Sequence, residues 1–584
     1  MSKTQQAVHV ARTKSRRVNK AGETVEYESV LLRRSYRQDG KVKHETLANL
    51  ASLPETAIED LRASLAGKTL IEATAGLEVT RSLPAGHIDA VNQMARGLGF
   101  ESLLGPACRQ RDVVMGLITA RICTPASKLA SLRWFADTTL ATDLGPVTTD
   151  EAYHAMDWLL ARQPAIESKL AHRYLGPDAN PDKLALFDLS SSWVTGHHNP
   201  LAARGYSRDK KKGVEQIEYG MLSTRDGLPI AVRVVPGNTA DPAAFTAITT
   251  EIKDLAGVDD MVMVGDRGMI TSARIRQLAD LGGLGWVTCL RAPAIQALTA
   301  DDGPLQMRLF DEQDLAEINH PDYPGERLIA CRNPALAAER ARKRDELLDA
   351  TETELDTLKA AVKAGRLAGA GKIGIKVGKV IDKYKMAKHL EVTITDDSLS
   401  HARRETEIAA EAALDGLYVI RTSVPATSMD ADEAVRIYKS LANVEKIFKS
   451  LKSVDLRIRP IHHHTEDRTR AHVLLCMLAG HLTWHLRHAW APLTYTDQDR
   501  PTPENPVTAA TRSPQAQAKA STRTLPDGTP AHSYQSLLRH LATRTRNTLR
   551  AAGTEATFEL TTLPTPTQRE TLELIDHHLE NQRK

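Results

Sequence analysis

Between residues 184 and 291 the sequence leaves helical spacing and becomes five short apolar runs: LALFDLSS (184–191), QIEYGMLS (216–223), LPIAVRVVPG (228–237), MVMVGD (261–266) and LGWVTCLR (284–291). Apolar runs of this length, bounded by Gly, Pro and Ser, are expected to be strands. Helical text, ADPAAFTAITTEIKDLAG, precedes the fourth run, and ITSARIRQLADLG precedes the fifth. The expected product is a mixed α/β sheet flanked by helices, and this region is the candidate catalytic core.

A chain of 584 residues exceeds what one hydrophobic core usually organises, so additions are expected on both sides of that sheet. Residues 1–52 are expected to form a basic arm and a β-hairpin module, because 24–50 alternate apolar and polar positions around Gln38-Asp39-Gly40. Helical spacing broken by Gly and Pro marks 53–178 as a helical domain suited to DNA binding. The core is expected to occupy 179–291 and 430–490, interrupted by an α+β insertion at 292–429 that carries a long charged helix. Residues 491–584, rich at first in Pro, Thr, Ser, Ala and Gln, read as a flexible linker and a C-terminal helical tail.

A net charge of +3 says little about partners until its distribution is considered. The first 45 residues carry Lys3, Arg12, Lys14, Arg16, Arg17, Lys20, Arg33, Arg34, Arg37, Lys41 and Lys43 against about half as many acids, enough to neutralise DNA phosphates or to form a solvated tail. The cysteines, Cys108, Cys123, Cys289, Cys331 and Cys476, lie far apart without a CxxC pair, as suits a reducing cytoplasm. No apolar signal core begins the chain, and its longest apolar stretch, near 471–486, is broken by His472, His481 and His485, so no membrane role is expected.

Two apolar runs end in a carboxylate: Asp188 in LALFDLSSSW and Asp266 in MVMVGDRGM. A buried charge in such a run is costly unless it meets a cation or a dense hydrogen-bond network, although a cap or turn role accounts for either residue taken singly. In the helical text at 430–453, Tyr438, Glu445 and Lys452 are seven residues apart and fall within about 20° of one line on an α-helix. The same spacing describes an amphipathic helix with its polar face in water. His462, His463 and His464 lack finger spacing, and three adjacent residues do not converge on one zinc ion without unusual backbone. Asn238 and Asp241 in PGNTADP fit a turn or cap better than a site. The GLGF and GAGKIG strings lack the strand-GxxxxGK[ST]-helix context of a nucleotide site.

In this order, the strings FDLSSSW, GYSRDKKKGVEQIEYGML, GLPIAVRVVPGNTAD, VGDRGM and DGLYVIRTS resemble the DDE transposases of bacterial insertion sequences. Within that superfamily the branch named after insertion sequence four carries its catalytic Glu in a Y-x2-R-x3-E-x6-K pattern. This chain reads Tyr438, Leu441, Glu445, Lys452, with Leu where the family has Arg. DLRIRPIHHHTEDRTRAHVLLCMLAGHL also resembles the group's ending, and the resemblance runs from about 25 to 490.

The resemblance implies an RNase H-like core in which Asp188, Asp266 and Glu445 bind two divalent ions, Mg²⁺ with Mn²⁺ able to substitute. It implies cleavage at the ends of the element and transfer of the freed 3′-hydroxyl into target DNA by in-line displacement. Tyr438 and Lys452 would hold the DNA strand, and Arg204, Arg208, Lys210, Lys211 and Lys212 in RGYSRDKKK would grip its backbone or form a solvated loop. The partners would be the element's terminal inverted repeats and target DNA, with a homodimer in the synaptic complex. An RNase H-like nuclease without strand transfer, or a transposase-derived DNA-binding protein without catalysis, would keep much of the same sequence.

Overall fold

The computed structural model describes residues 7–583 except 19–21, 39–40, 69–75, 206, 210, 212, 240–250, 252–260, 269, 272–274, 277–283, 301–302, 311–312 and 552–553. Two compact units are present: Met1–Leu83 with Arg544–Leu563, and Pro84–Thr543 with Pro564–Lys584.

In the first unit, strands β1 (Ala7–Val18), β2 (Thr24–Gln38) and β3 (Lys41–Asn49) form an antiparallel sheet in the order β1-β2-β3. Gln38 pairs with Lys41 across the expected turn, whose Asp39 and Gly40 lie outside the described residues. The basic arm is, over residues 7–18, a strand paired along its length with β2. Its charge is partly met within this unit, since Arg16 is 2.7 Å from Glu26 of β2 and Arg12 bonds Glu55 at the start of the following helix. Val30, Leu50 and Ile58 form a small core with the helix Glu55–Leu65. A second sheet joins β4 (Leu77–Pro84) to two strands from far along the chain, β15 (Thr545–Ala551) and β16 (Thr557–Thr561), in the order β16-β15-β4.

The second unit is built on β5 (Leu184–Trp193), β6 (Gln216–Ser223), β7 (Pro229–Pro236), β8 (Met261–Val264), β9 (Leu284–Cys289), β10 (Leu315–Ile318), β11 (Arg327–Arg332) and β14 (Leu417–Thr422). These eight strands lie in the order β10-β11-β14-β9-β8-β5-β6-β7, with β5, β8 and β9 mutually parallel and the other pairings antiparallel. The expected insertion therefore does not stand apart: β14 covers the open edge of β9, whose backbone groups need partners. The remainder of that segment, the long helix Pro334–Lys363, the helix Ala370–Tyr384 and a hairpin of β12 (Leu390–Ile394) and β13 (Leu399–Arg403), has its own core around Leu348, Leu355, Ile373 and Val377. The helical text expected before β8 falls, apart from Glu251, in residues outside the described set, as does most of that before β9.

Helices spanning 86–175 share one continuous core with this sheet and with the buried helix Glu466–Ala489, so the expected boundary at 178 is not a break in packing. Residues after 491 also depart from expectation. Val507, Leu537, Leu538, Leu541 and Ile575 are buried in the same core. Their Ser- and Thr-rich text supplies caps: Ser513 accepts from the Ala516 N–H, and Thr565 and Gln568 form a capping box. No single helix among the described residues is long and apolar enough to cross a membrane.

Candidate active site

The parallel pairing of β5 and β8 sets the two carboxylates side by side, although only Asp266 lies past a strand end: β5 runs on to Trp193, and Asp188 sits within it, paired with Met221 of β6. Leu186 pairs with Val264, so Asp188 and Asp266, each two residues further on, stand level where β8 ends. Asp188 is half-buried and Asp266 is exposed. Asp188 accepts a 2.8 Å hydrogen bond from the Leu189 N–H, and Asp266 accepts one of 2.9 Å from the Gly268 N–H.

Glu445 comes from the helix Ala431–Lys449, which is capped by Asp430 and buries Val435, Ile437, Val444, Ile447 and Phe448. Glu445 lies on the opposite, exposed face. The three carboxylates are coupled. Burial and the charge of Asp266 push the Asp188 carboxyl up to about 7; the Leu189 N–H and Arg208 oppose the rise, and Glu445 adds to it.

Three oxygen-donor side chains of one charge fit a hard divalent cation in kind, and their repulsion is of the sort such a cation relieves. As arranged here they are not drawn tightly around one point: among the described residues no group of three His, Cys, Asp or Glu side chains is set to hold a metal ion. The same statement covers His462–His464, where His462 Nδ1 lies 2.7 Å from the Thr195 hydroxyl.

The remaining expected residues divide. Tyr438 is half-buried, and burial, then Cys289 of β9 and Asp266, raise its phenol above the usual range. Asp266 is thus near enough for its charge to act on Tyr438. Leu441 packs against the main core, an apolar contact where an arginine would carry charge. Lys452 does not continue the face of Glu445: the α-helix ends at Lys449 and opens into a π-helical turn, Ser450–Val454, whose wider winding breaks the seven-residue register. Its ammonium instead donates to Asp209 at 2.9 Å.

In the RGYSRDKKK loop, Arg204 is exposed and Lys211 lies 3.6 Å over the Trp193 ring. Arg208 faces both Asp188 and Glu218, the latter at 3.8 Å. Lys210 and Lys212 lie outside the described residues. Gly205 and Gly237 explain the GYS and PGN strings. A Cβ on Gly205 would fall 2.1 Å from the Gly237 carbonyl oxygen, so the loop rests directly on the turn after β7. Asn238 is exposed in that turn, and Asp241 lies outside the described residues.

Sequence reasoning missed Asp209 as a structural residue. Its side chain is only 3% exposed and pairs with both Lys452 and Arg459. An acid inside a basic run, answered by cations some 240 residues later, leaves no local signal.

Residues 190–480 match the family model described as a transposase DDE domain, and residues 13–75 match the N-terminal domain of the IS1634 family transposases. The chain belongs to the DDE transposases of bacterial insertion sequences. The transposase is accordingly an enzyme of nucleic-acid phosphoryl transfer, of a class that works with divalent metal ions. The DDE-domain match contains Asp266 and Glu445 and begins at Ser190, just past Asp188. Among solved structures, the transposase is similar to a piggyBac transposase synaptic complex with hairpin DNA determined by cryo-EM. That similarity covers 78% of this chain and 77% of the other at 8% identity, with a TM-score of 0.33. No curated protein matches the transposase.

Proposed function

We propose that Asp188, Asp266 and Glu445 are the catalytic carboxylates and that they hold two Mg²⁺ ions, with Mn²⁺ able to substitute. The observation that carries this reading is the level placement of Asp188 and Asp266 on neighbouring parallel strands, with Glu445 near enough for its charge to act on Asp188; burial first, and then these two charges, push the Asp188 carboxyl up to about 7. The order β7-β6-β5-β8-β9, three antiparallel strands followed by two parallel ones, supports an RNase H-like core.

When bound, the cations supply positive charge against the charge that develops on the phosphate during in-line displacement. Asp188 and Asp266 keep two ligating groups level on a rigid sheet, and Glu445 brings the third from a helix packed across it. Arg208 offsets part of the negative charge at Asp188. Tyr438, near Asp266, and the exposed Arg204 and Lys211 line the approach of a DNA strand. No protein nucleophile is needed: water attacks first at the element's terminal inverted repeat, and the freed 3′-hydroxyl then attacks target DNA. A homodimer would pair two DNA ends in the synaptic complex, and the reaction would take place in the cytoplasm.

The test is cleavage and strand transfer on DNA bearing the ends that flank the gene, with Mn²⁺ binding to the protein measured in parallel. Wild type should cut and join, while Glu445→Gln binds DNA, does neither and holds Mn²⁺ more weakly. Cutting without joining would favour a nuclease. Equal activity in the variant would remove Glu445 from the set, and a wild type that binds DNA without cutting would favour a DNA-binding protein.

A further inference from the structure

A cavity of about 390 Å³, whose lining includes none of Asp188, Asp266 and Glu445, lies between the turn joining the helices Arg109–Cys123 and Lys128–Ala136 and the segment that follows the π-helical turn. Arg121, Lys128, Arg457, Arg459, His462 and His463 line it, and none of its lining residues is acidic. Two of its cations are buried: Arg121 is 4% exposed and Lys128 5%.

Arg121 is held in place without being neutralised, since it donates to the backbone carbonyls of Ala126 at 2.8 Å and Leu456 at 3.2 Å. His472 Nε2 donates to the Ile458 carbonyl at 3.0 Å, which leaves Nδ1 to accept from the Lys128 ammonium at 3.1 Å. The nearby carboxylates are already engaged: Asp209 with Lys452 and with Arg459, the one lining cation so paired among the described residues, and Asp157 with Arg468. Arg457 sits at the rim with φ +45°, a conformation side-chain-bearing residues rarely adopt.

Among the described residues no carboxylate pairs with Arg121 or Lys128, and buried cations left without an anion cost a fold stability. A guanidinium and an ammonium converging on a cavity form a donor set that charge-assisted hydrogen bonds match to phosphate oxygens. Arg457 and His462 are exposed at the mouth, so an anion can enter from solvent. We propose that this cavity binds a phosphate group, either a phosphodiester of the DNA backbone or free phosphate. In a transposase the DNA strand is the abundant source. The site is independent of the carboxylate assignment, because filling it requires no divalent metal.

The test uses the full-length chain in EDTA, with wild type, Lys128→Met and the rim variant Arg457→Ala. One arm follows binding of a labelled duplex of arbitrary sequence by anisotropy across a salt series; the other follows melting temperature with inorganic phosphate. Each variant should weaken duplex binding about tenfold and reduce the slope of log K against log salt by about one, as the loss of one phosphate contact predicts. Inorganic phosphate should raise the melting temperature of wild type but not of Lys128→Met. A melting shift with unaltered duplex affinity and slope would support the site and assign it to free phosphate. If both folded variants keep the wild-type slope and inorganic phosphate moves no melting temperature, the proposal is overturned.

Discussion

Asp188 and Asp266 stand level on neighbouring parallel strands, and the charge of Asp266 helps raise the Asp188 carboxyl to about 7. Paired like charges destabilise the metal-free fold and are relieved either by a cation or by removing one carboxylate. Asp188→Asn should therefore raise the melting temperature of the metal-free protein at pH 8 and abolish the stabilisation that Mn²⁺ gives wild type. Losing several kcal/mol of transition-state stabilisation, it should also cut strand cleavage by roughly a thousandfold or more. Differential scanning fluorimetry with and without Mn²⁺ checks the first part. A variant less stable than wild type in EDTA would mean the pair is not repulsive.

Asp209, next to Arg208 in its loop, joins Lys452 of the π-helical turn to Arg459. Removing the single anion leaves two poorly solvated cations facing each other, so Asp209→Asn should destabilise the protein by about 3 kcal/mol in urea unfolding. Adding Lys452→Met should recover part of that loss, since the two residues share one network. Independent, additive effects would show that Lys452 is free for another partner, the DNA-holding role its sequence position suggests.

Much of the eight-stranded sheet could be read in the sequence because β5 to β9 are short apolar runs, and period and length are local properties. Asp188 and Asp266 stood out for the same reason, as charges interrupting apolar text. The coverage of β9 by β14 was not readable, because strand pairing across more than a hundred residues depends on which edge is left open. Lys452 was misplaced for a geometric reason: a seven-residue spacing implies one face only while the helix stays α, and the π-helical turn at Ser450 breaks it. The cationic cavity was invisible for a third reason. Its members come from residues 121–128 and 457–472, and no periodicity links them.

The segment after Pro492 was misread through composition alone. Its Lys519 is 4% exposed and donates to the carbonyls of Thr494 at 2.9 Å and Thr496 at 3.0 Å, while Lys439 of the Glu445 helix donates to those of Val507 and Thr508. A flexible linker would be cut by trypsin within minutes at every basic site. Limited trypsinolysis followed by mass spectrometry should find Lys519 protected until global unfolding. Val507→Ala, which empties part of a fully buried site, should cost about 1–2 kcal/mol. Early cleavage at Lys519 would restore the linker reading.

Lys128 makes the stability of the anion-free protein depend on pH in a definite direction. Burial, and after it the charge of Arg121, hold its ammonium at about 7 in the fold, against about 10.4 for an unfolded lysine. Between those values the unfolded chain binds the proton that the folded chain has lost, so stability rises with pH across that window; below about 7 the fold carries the buried charge in full. The groups facing Lys128 do not reverse this sign. Burial keeps His463 at about 3 and His472 well below 6.5, so both stay neutral; Cys476 is buried with its thiol raised, and Arg121, Arg457 and Arg459 are permanent cations. Lys128→Met should therefore be more stable than wild type in urea at pH 6, with the gap narrowing steadily towards pH 9.5. A gap that stays constant over that range would show that Lys128 is fully charged in the fold, already neutralised by a partner at this cavity.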